Sequence, residues 1–208
     1  MQIYSEKVLY LIGGPNGSGK TTLVRDVLQL CPAISFLNSD EIARDNNIGT
    51  SNAGLILLDR MNELFSGHNS FVYETTLAGK FPGKLVKRAR DAGYTIEFFY
   101  VVLSSIEQNL ARVSERAARG GHNVPENIIR RRHDKSLFNF DIIYKLVDSW
   151  KLYNNAGAKC CLVAHGAGDK IDIVEPGMYN DFIETKTKTV EKYITEMAAR
   201  RAARLQRI

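Results

Sequence analysis

The residues Gly14-Pro15-Asn16-Gly17-Ser18-Gly19-Lys20-Thr21 meet every fixed position of the pattern G-x-x-x-x-G-K-[ST]. Three glycines let a loop curl until successive N–H groups point inward at phosphate oxygens. A helix beginning where the loop ends adds its partial positive charge. Lys20 would then reach the β- and γ-phosphates of a nucleotide, with the Thr21 hydroxyl on Mg²⁺ and Thr22 directly behind it. The flanks agree: the apolar run Val8-Leu9-Tyr10-Leu11-Ile12 suits a buried parallel strand, and residues 22–28 have the apolar spacing of a helix. A glycine-rich turn that binds nothing is the bland alternative, and it would not need a strand before and a helix after. The sequence therefore predicts a nucleoside triphosphate site built from residues 14–22.

Two acids stand where such a site needs them. Asp40 closes Phe36-Leu37-Asn38-Ser39-Asp40, directly after the second strand candidate. In an open parallel sheet, ligands bind at the carboxyl ends of strands, where a carboxylate can orient a hydroxyl and accept its proton. Asp40 is equally a favoured N-cap for a helix starting at Glu41, and both roles can coexist. Glu41 is a weaker competitor for the same chemistry. Glu74 ends the third strand candidate in Phe71-Val72-Tyr73-Glu74-Thr75-Thr76. It can bind an acceptor or hold the magnesium shell, with Thr75 and Thr76 adding hydroxyl contacts; pairing with a nearby Lys is the structural alternative.

The cations follow. Ser104-Ser105-Ile106-Glu107-Gln108 reads as a capping box opening a helix. On that helix Ile106, Leu110, Val113 and Ala117 form one stripe, and Arg112, Arg116 and Arg119 another. Gly120-Gly121-His122-Asn123-Val124-Pro125 then makes a hinge, and a new helix carries Arg130, Arg131 and Arg132. Two arginine-bearing helices about a glycine hinge suit a closing lid, because guanidinium forks match a phosphoryl group better than ammonium does. A solvated charged face is the competing interpretation. His122 is placed to contact substrate or phosphate on closure, and the four histidines have no metal-ligand spacing.

Strand and helix signals alternate along the chain, which argues for a parallel sheet covered on both faces. Strands are predicted at 8–12, 34–37, 71–73, 96–103 and 160–164, with an extended piece near 171–174. Helices are predicted near 20–30, 51–66, 80–92, 105–119, 125–137 and 140–153, with a last basic, alanine-rich one over 178–205. The second of these would be capped by Ser51 and bury Leu55, Leu58, Met61 and Phe65. Residues 1–177 read as one α/β domain with a lid at about 104–137, and 178–208 as a C-terminal basic helix. That helix reads either as a solvated arm or as a surface docked on another subunit.

The chain has 208 residues, 44% of them hydrophobic, and a net charge of +5. No apolar run approaches the roughly 18 residues a membrane span needs. The N-terminal apolar stretch is too short for a signal peptide and runs into the phosphate loop, so secretion is not expected. Cys31, Cys160 and Cys161 have neither metal nor disulfide spacing and read as reduced residues of a cytoplasmic protein, the adjacent pair in the core. The basic residues concentrate at 112–135 and 200–207, which favours a phosphate clamp over a polynucleotide surface.

The sequence contains no Asn-Lys-x-Asp, no Leu-Ser-Gly-Gly-Gln and no apolar strand ending in Asp-Glu, which argues against GTPases, transporter ATPases and motors. What remains resembles the small-molecule kinases. More specifically, Gly14 to Thr22, Asn38-Ser39-Asp40-Glu41, Glu74-Thr75-Thr76-Leu77 and Gly120-Gly121-His122-x-Val124-Pro125 with Arg130-Arg131-Arg132 resemble the zeta-toxin family over about residues 7 to 165. The resemblance implies a P-loop kinase-like parallel sheet with helices on both faces and a helical arginine-rich lid. It also implies an ATP- and Mg²⁺-dependent kinase acting on a hydroxyl of UDP-N-acetylglucosamine or a related nucleotide sugar, and a small antitoxin partner. By the same comparison Asp40 is the base, Lys20 the phosphate clamp, Glu74 an acceptor or metal contact, and Arg116, Arg119 and Arg132 the lid cations. A polynucleotide 5′-kinase and a nucleotide-dependent switch that binds a partner are the alternatives, neither calling for a membrane.

Overall fold

β1 (Val8–Gly13) lies in the middle of the sheet, and its pleat sends Leu9 and Leu11 to one face and Tyr10 and Ile12 to the other. The computed structural model describes residues 7–30, 33–121 and 124–205. β2 (Ser35–Leu37), β3 (Phe71–Thr75), β4 (Thr95–Val102) and β5 (Ser149–Asn154) run parallel to β1. β6 (Cys161–Ala167) and β7 (Lys170–Ile173) add antiparallel to the β5 edge, giving the order β2-β3-β1-β4-β5-β6-β7. The predicted α/β sheet is thus present, but it is mixed rather than wholly parallel. Short turns join β5 to β6 and β6 to β7, and short connections can only reverse the chain.

Helices cover both faces. α1 (Lys20–Leu30) lays Leu23 and Val24 on the face of Ile12, Val72, Phe99 and Val101. The other face is larger. It takes Leu57, Met61 and Phe65 of α3 (Thr50–Ser66) and Leu85, Val86 and Ala89 of α4 (Phe81–Asp91). α6 (Glu126–Ile143) and α7 (Pro176–Leu205) complete it with Leu137, Phe140, Ile143 and Phe182. α7 lies along α6, tied by Lys186 to Asp141 at 2.6 Å and by the Phe138–Tyr193 ring contact. Among the described residues no helix is long and apolar enough to cross a membrane.

Several predicted elements are corrected. Residues 126–143 form one helix, not two, and the chain then enters β5 where a helix over 140–153 was expected. Ile142, Ile143, Leu146, Val147 and Trp150 satisfy helical spacing, so the local pattern was ambiguous. A long-range anchor decides it: the Asp148 carboxylate accepts from the Ile96 N–H at 2.8 Å, and the Asp148 N–H donates to the Ile96 carbonyl. That bonding starts β5 beside β4, and Trp150 and Leu152 then alternate inward. α3 begins at Thr50 after Gly49, so Ser51 is not its cap. Its buried stripe is Ala53, Leu57, Met61 and Phe65, while Leu55 and Leu58 face solvent. Cys160 is exposed and Cys161 partly so, because the inward positions of β6 fall to Val163 and Ala164.

Candidate active site

Strand β1 ends at Gly13 and α1 begins at Lys20, so the glycine-rich segment is the turn between them, at the carboxyl edge of the sheet. The loop is packed closely from outside. Gly17 (φ +77°) and Gly19 (φ +91°) adopt left-handed backbone, and a Cβ at Gly19 would lie 2.1 Å from the Asn155 amide nitrogen. Asn16, Ser18 and Lys20 are buried, and among the described residues Asn16 Oδ1 and Ser18 Oγ have no hydrogen-bond partner. Buried polar atoms without partners carry a cost, and here both sit on the glycine-rich loop.

Lys20 crosses the loop and donates from Nζ to the Pro15 carbonyl at 3.0 Å. Burial holds its pKa below the usual lysine value. The charges of Glu74 and then Asp40 pull it back up, while Arg116 pushes it further down. Glu74, Asp40 and Arg116, predicted from separate stretches of sequence, therefore all act on the charge of Lys20. Glu74, at the end of β3, accepts from the Thr21 hydroxyl at 3.1 Å. β3 pairs directly with β1, with Ile12 opposite Glu74 and Gly13 opposite Thr75, and this register brings the acid to the loop. A hydroxyl and a carboxylate together are hard oxygen donors of the kind Mg²⁺ takes, with water and phosphate oxygens filling its remaining positions. Among the described residues no group of three or more His, Cys, Asp or Glu is arranged to hold a metal ion.

The two threonines after Glu74 differ. Thr75 Oγ1 accepts from the Leu77 N–H at 3.1 Å, so its hydroxyl serves the turn. Leu77 is buried with φ +59°, a conformation a side-chain residue adopts only when its surroundings enforce it. Asn139 of α6 does so, donating to the Leu77 carbonyl at 2.6 Å and to that of Gly79 at 3.1 Å. Thr76 is partly exposed beside this turn.

Asp40 is exposed in the first turn of α2 (Ser39–Asp45). The cap of this helix is Asn38, whose Oδ1 accepts from the Asp40 N–H at 2.8 Å and the Glu41 N–H at 3.3 Å. Asp40 is thereby released from the capping role that the sequence left open. Replacing Asn38 by Ala is expected to cost about 1 kcal/mol, read as a lower unfolding temperature; an unchanged transition would show the cap to be dispensable. Burial raises the pKa of the neighbouring Glu41, with Arg44 opposing the rise. Asp40 lines a cleft of about 490 Å³ with Ala43, Arg44, Ile48, Gly49, Arg116, Gly120 and Gly121. Asp40, Arg44 and Arg116 thus face one open space, and the charges of Asp40 and Arg116 both act on Lys20.

Of the predicted lid cations, Arg116 alone reaches this space. α5 (Ile106–Ala118) opens as the capping box implied, with Ser105 Oγ accepting from the Gln108 N–H and the Gln108 side chain accepting from the Ser104 N–H. Arg119 is its exposed C-cap, and Arg132 is half-buried on α6; neither bonds to the loop among the described residues. Arg130 pairs with Glu126 at 2.8 Å and Glu107 at 3.6 Å, exposed bonds that join the starts of α5 and α6. Gly120 (φ +84°) and Gly121 close α5, the Gly121 N–H donating to the Arg116 carbonyl at 2.9 Å. His122 lies outside the described residues.

Two residues that sequence reasoning passed over touch the loop directly. Asn109 on α5 donates to the Asn16 carbonyl at 2.7 Å, and Asn155, just past β5, donates to the Ser18 carbonyl at 3.0 Å. Arg112 donates to the Asn155 carbonyl at 2.8 Å. The first half of α5 is therefore fastened to the glycine-rich loop and to the β5 end that contacts it. A polar residue on a charged helix and an Asn pair in a turn carry no local signal of such a role.

No protein-family model matches the chain. An uncharacterized protein of Haemophilus influenzae is 30% identical over 128 residues, covering 58% of this chain and 88% of its own length. The chain belongs to the family of that protein. Among solved structures, one chain of the AvrRxo1-ORF1:AvrRxo1-ORF2 complex with ATP superposes at TM-score 0.67 and 16% identity, over 86% of this chain. This chain spans 64% of that one's length. The PezAT toxin–antitoxin system of Streptococcus pneumoniae contains a chain with TM-score 0.61 at 12% identity, covering 93% of this chain and 89% of its own. At such identities the likeness is one of fold, an α/β sheet flanked by helices that this chain shares with both.

Proposed function

We propose that this protein is an ATP-dependent kinase that transfers the γ-phosphate to a hydroxyl of a small metabolite. The observation that carries the reading is the convergence of Lys20, Glu74, Asp40 and Arg116 at the mouth of a buried phosphate loop. The neighbours support it, one having been solved with ATP and another forming part of a toxin–antitoxin system. A nucleotide sugar such as UDP-N-acetylglucosamine is the acceptor favoured by the zeta-toxin resemblance. An antitoxin partner and a cytoplasmic location belong to the same proposal, as does the division into a kinase unit over 1–177 and a basic helix over 178–208.

In this reading the loop N–H groups and residues 14–22 cradle the phosphates. Lys20 leaves the Pro15 carbonyl to meet the β- and γ-phosphates. Asp40 orients the acceptor hydroxyl in the cleft and takes its proton as the new O–P bond forms and the bond to ADP breaks. Arg116 faces the charge that develops on the transferred group, while Arg119 and Arg132 would need closure of the lid to join it. Thr21 and Glu74 would hold Mg²⁺, which when bound neutralises charge on the β- and γ-oxygens. Thr76 and His122 remain candidate contacts to the acceptor, and Thr75 acts through the turn it stabilises.

The test is ATP consumption by the purified protein against UDP-sugars, nucleosides and oligonucleotides, with mass spectrometry of the products. One phosphate gained by UDP-N-acetylglucosamine is the expected result. A gain by oligonucleotides, with binding that falls steeply as salt rises, would replace the acceptor class with nucleic acid. ATP hydrolysis with every acceptor unmodified would overturn the kinase reading in favour of a switch.

A further inference from the structure

The peptide units of the phosphate loop can bind an anion only if their N–H groups face inward. In a planar trans peptide the N–H points opposite to the carbonyl, so holding the carbonyl outward aims the amide inward. The chain has no cis peptide among the described residues. Asn109 holds the carbonyl of the Asn16–Gly17 peptide at 2.7 Å, and Asn155 that of the Ser18–Gly19 peptide at 3.0 Å. Among the described residues the N–H groups of Gly17 and Gly19 have no acceptor of their own. We propose that Asn109 and Asn155 are positioning residues that hold two alternate peptides of the loop in the phosphate-binding orientation.

Both carboxamides are themselves fixed. Asn109 is 1% exposed, and its backbone oxygen lies 2.7 Å from where a Cβ of Gly17 would stand, so the helix turn rests on the loop itself. The Asn155 N–H donates to the Val102 carbonyl of β4 at 2.9 Å, and its carbonyl accepts from Arg112. With both backbone groups engaged, its side chain is directed at Ser18. The left-handed φ at Gly17 and Gly19 permits the peptide flips, and the two Asn side chains select one flip over the other. The device draws on α5 and on the β5 end, two elements that the Arg112 bond to the Asn155 carbonyl joins to each other.

The inference rests on residues 14–21 being a phosphate loop, and inorganic pyrophosphate tests it without a base or sugar to confuse the result. In the ¹⁵N-labelled full chain, pyrophosphate should move both the Gly17 and Gly19 amide protons downfield. Asn155→Ala should abolish the Gly19 response and keep that of Gly17, and Asn109→Ala should do the reverse. Each should weaken pyrophosphate binding about tenfold, the scale of one lost hydrogen bond in an ordered site. Both responses surviving in both variants, or vanishing together in each, would overturn the proposal. Should buried Asn109 prove necessary for folding, the Asn155→Ala arm decides alone. A wild-type protein whose loop amides ignore pyrophosphate would instead sink the phosphate-loop reading itself.

Discussion

Asp40→Asn is expected to leave the protein folded and binding ATP while phosphoryl transfer falls by about 10²–10⁴-fold, the scale of losing a general base. The fold should tolerate the change because Asp40 is exposed and the cap of α2 is Asn38. The first turn keeps Glu41, so the loss of one favourable charge there is worth only a few tenths of a kcal/mol. Asparagine still fits the cleft and still accepts a hydrogen bond from a hydroxyl, but it cannot take the proton. Calorimetry should give an unchanged ATP affinity, and single-turnover rates should carry the whole loss. Normal turnover by the variant would remove Asp40 from the chemistry and leave Glu41 or Glu74 to be tested.

Lys20→Met should separate stability from activity. The methionine side chain fills similar space without the charge, so triphosphate affinity should fall by about 10–10²-fold with the lost charged hydrogen bonds. Turnover should fall further, by about 10²–10³-fold, because the ammonium also meets charge that develops in the transition state. Stability should hold or rise, since burial is the largest influence on Lys20 and opposes its charge. The pH dependence follows from the sign of that shift. A lysine whose pKa is lowered on folding costs stability while it stays protonated in both states. The cost disappears as pH rises from the lowered folded value through the ordinary 10.5. Any stability advantage of the variant should therefore shrink as the solution is made alkaline. A variant that melts well below wild type at neutral pH would show that the ammonium holds the loop together rather than waiting for phosphate.

The strand, loop and helix from Val8 to Leu30 were legible because everything that forms them is local: an apolar run, glycines and a helical stripe in immediate succession. The acids were legible for a related reason. A carboxylate that follows a buried strand in an open sheet has one edge to occupy, and the parallel pairing of β3 with β1 put Glu74 against Thr21. The α5 stripe was legible as a stripe, with Val113 buried and the arginines turned away from it. Its chemistry was not. Spacing treats Arg112, Arg116 and Arg119 alike, whereas the fold assigns the first to a carbonyl beside the loop, the second to the cleft and the third to a helix end. The same limit applies to Leu55 and Leu58, which share helical spacing with Met61 but face away from the sheet.

What the sequence determined by itself is the strand, glycine-rich turn and helix over residues 8–30 and the placing of two acids at or just after strand ends, since each follows from neighbouring residues and the geometry of strands and turns. Tertiary structure decided which cation reaches the cleft, that residues 149–154 form a strand, and that Asn109 and Asn155 grip the loop from 93 and 137 residues away. Those outcomes depend on which surfaces meet when the sheet closes. A contact between distant residues is set by packing and register, to which neither residue's own neighbourhood contributes a signal.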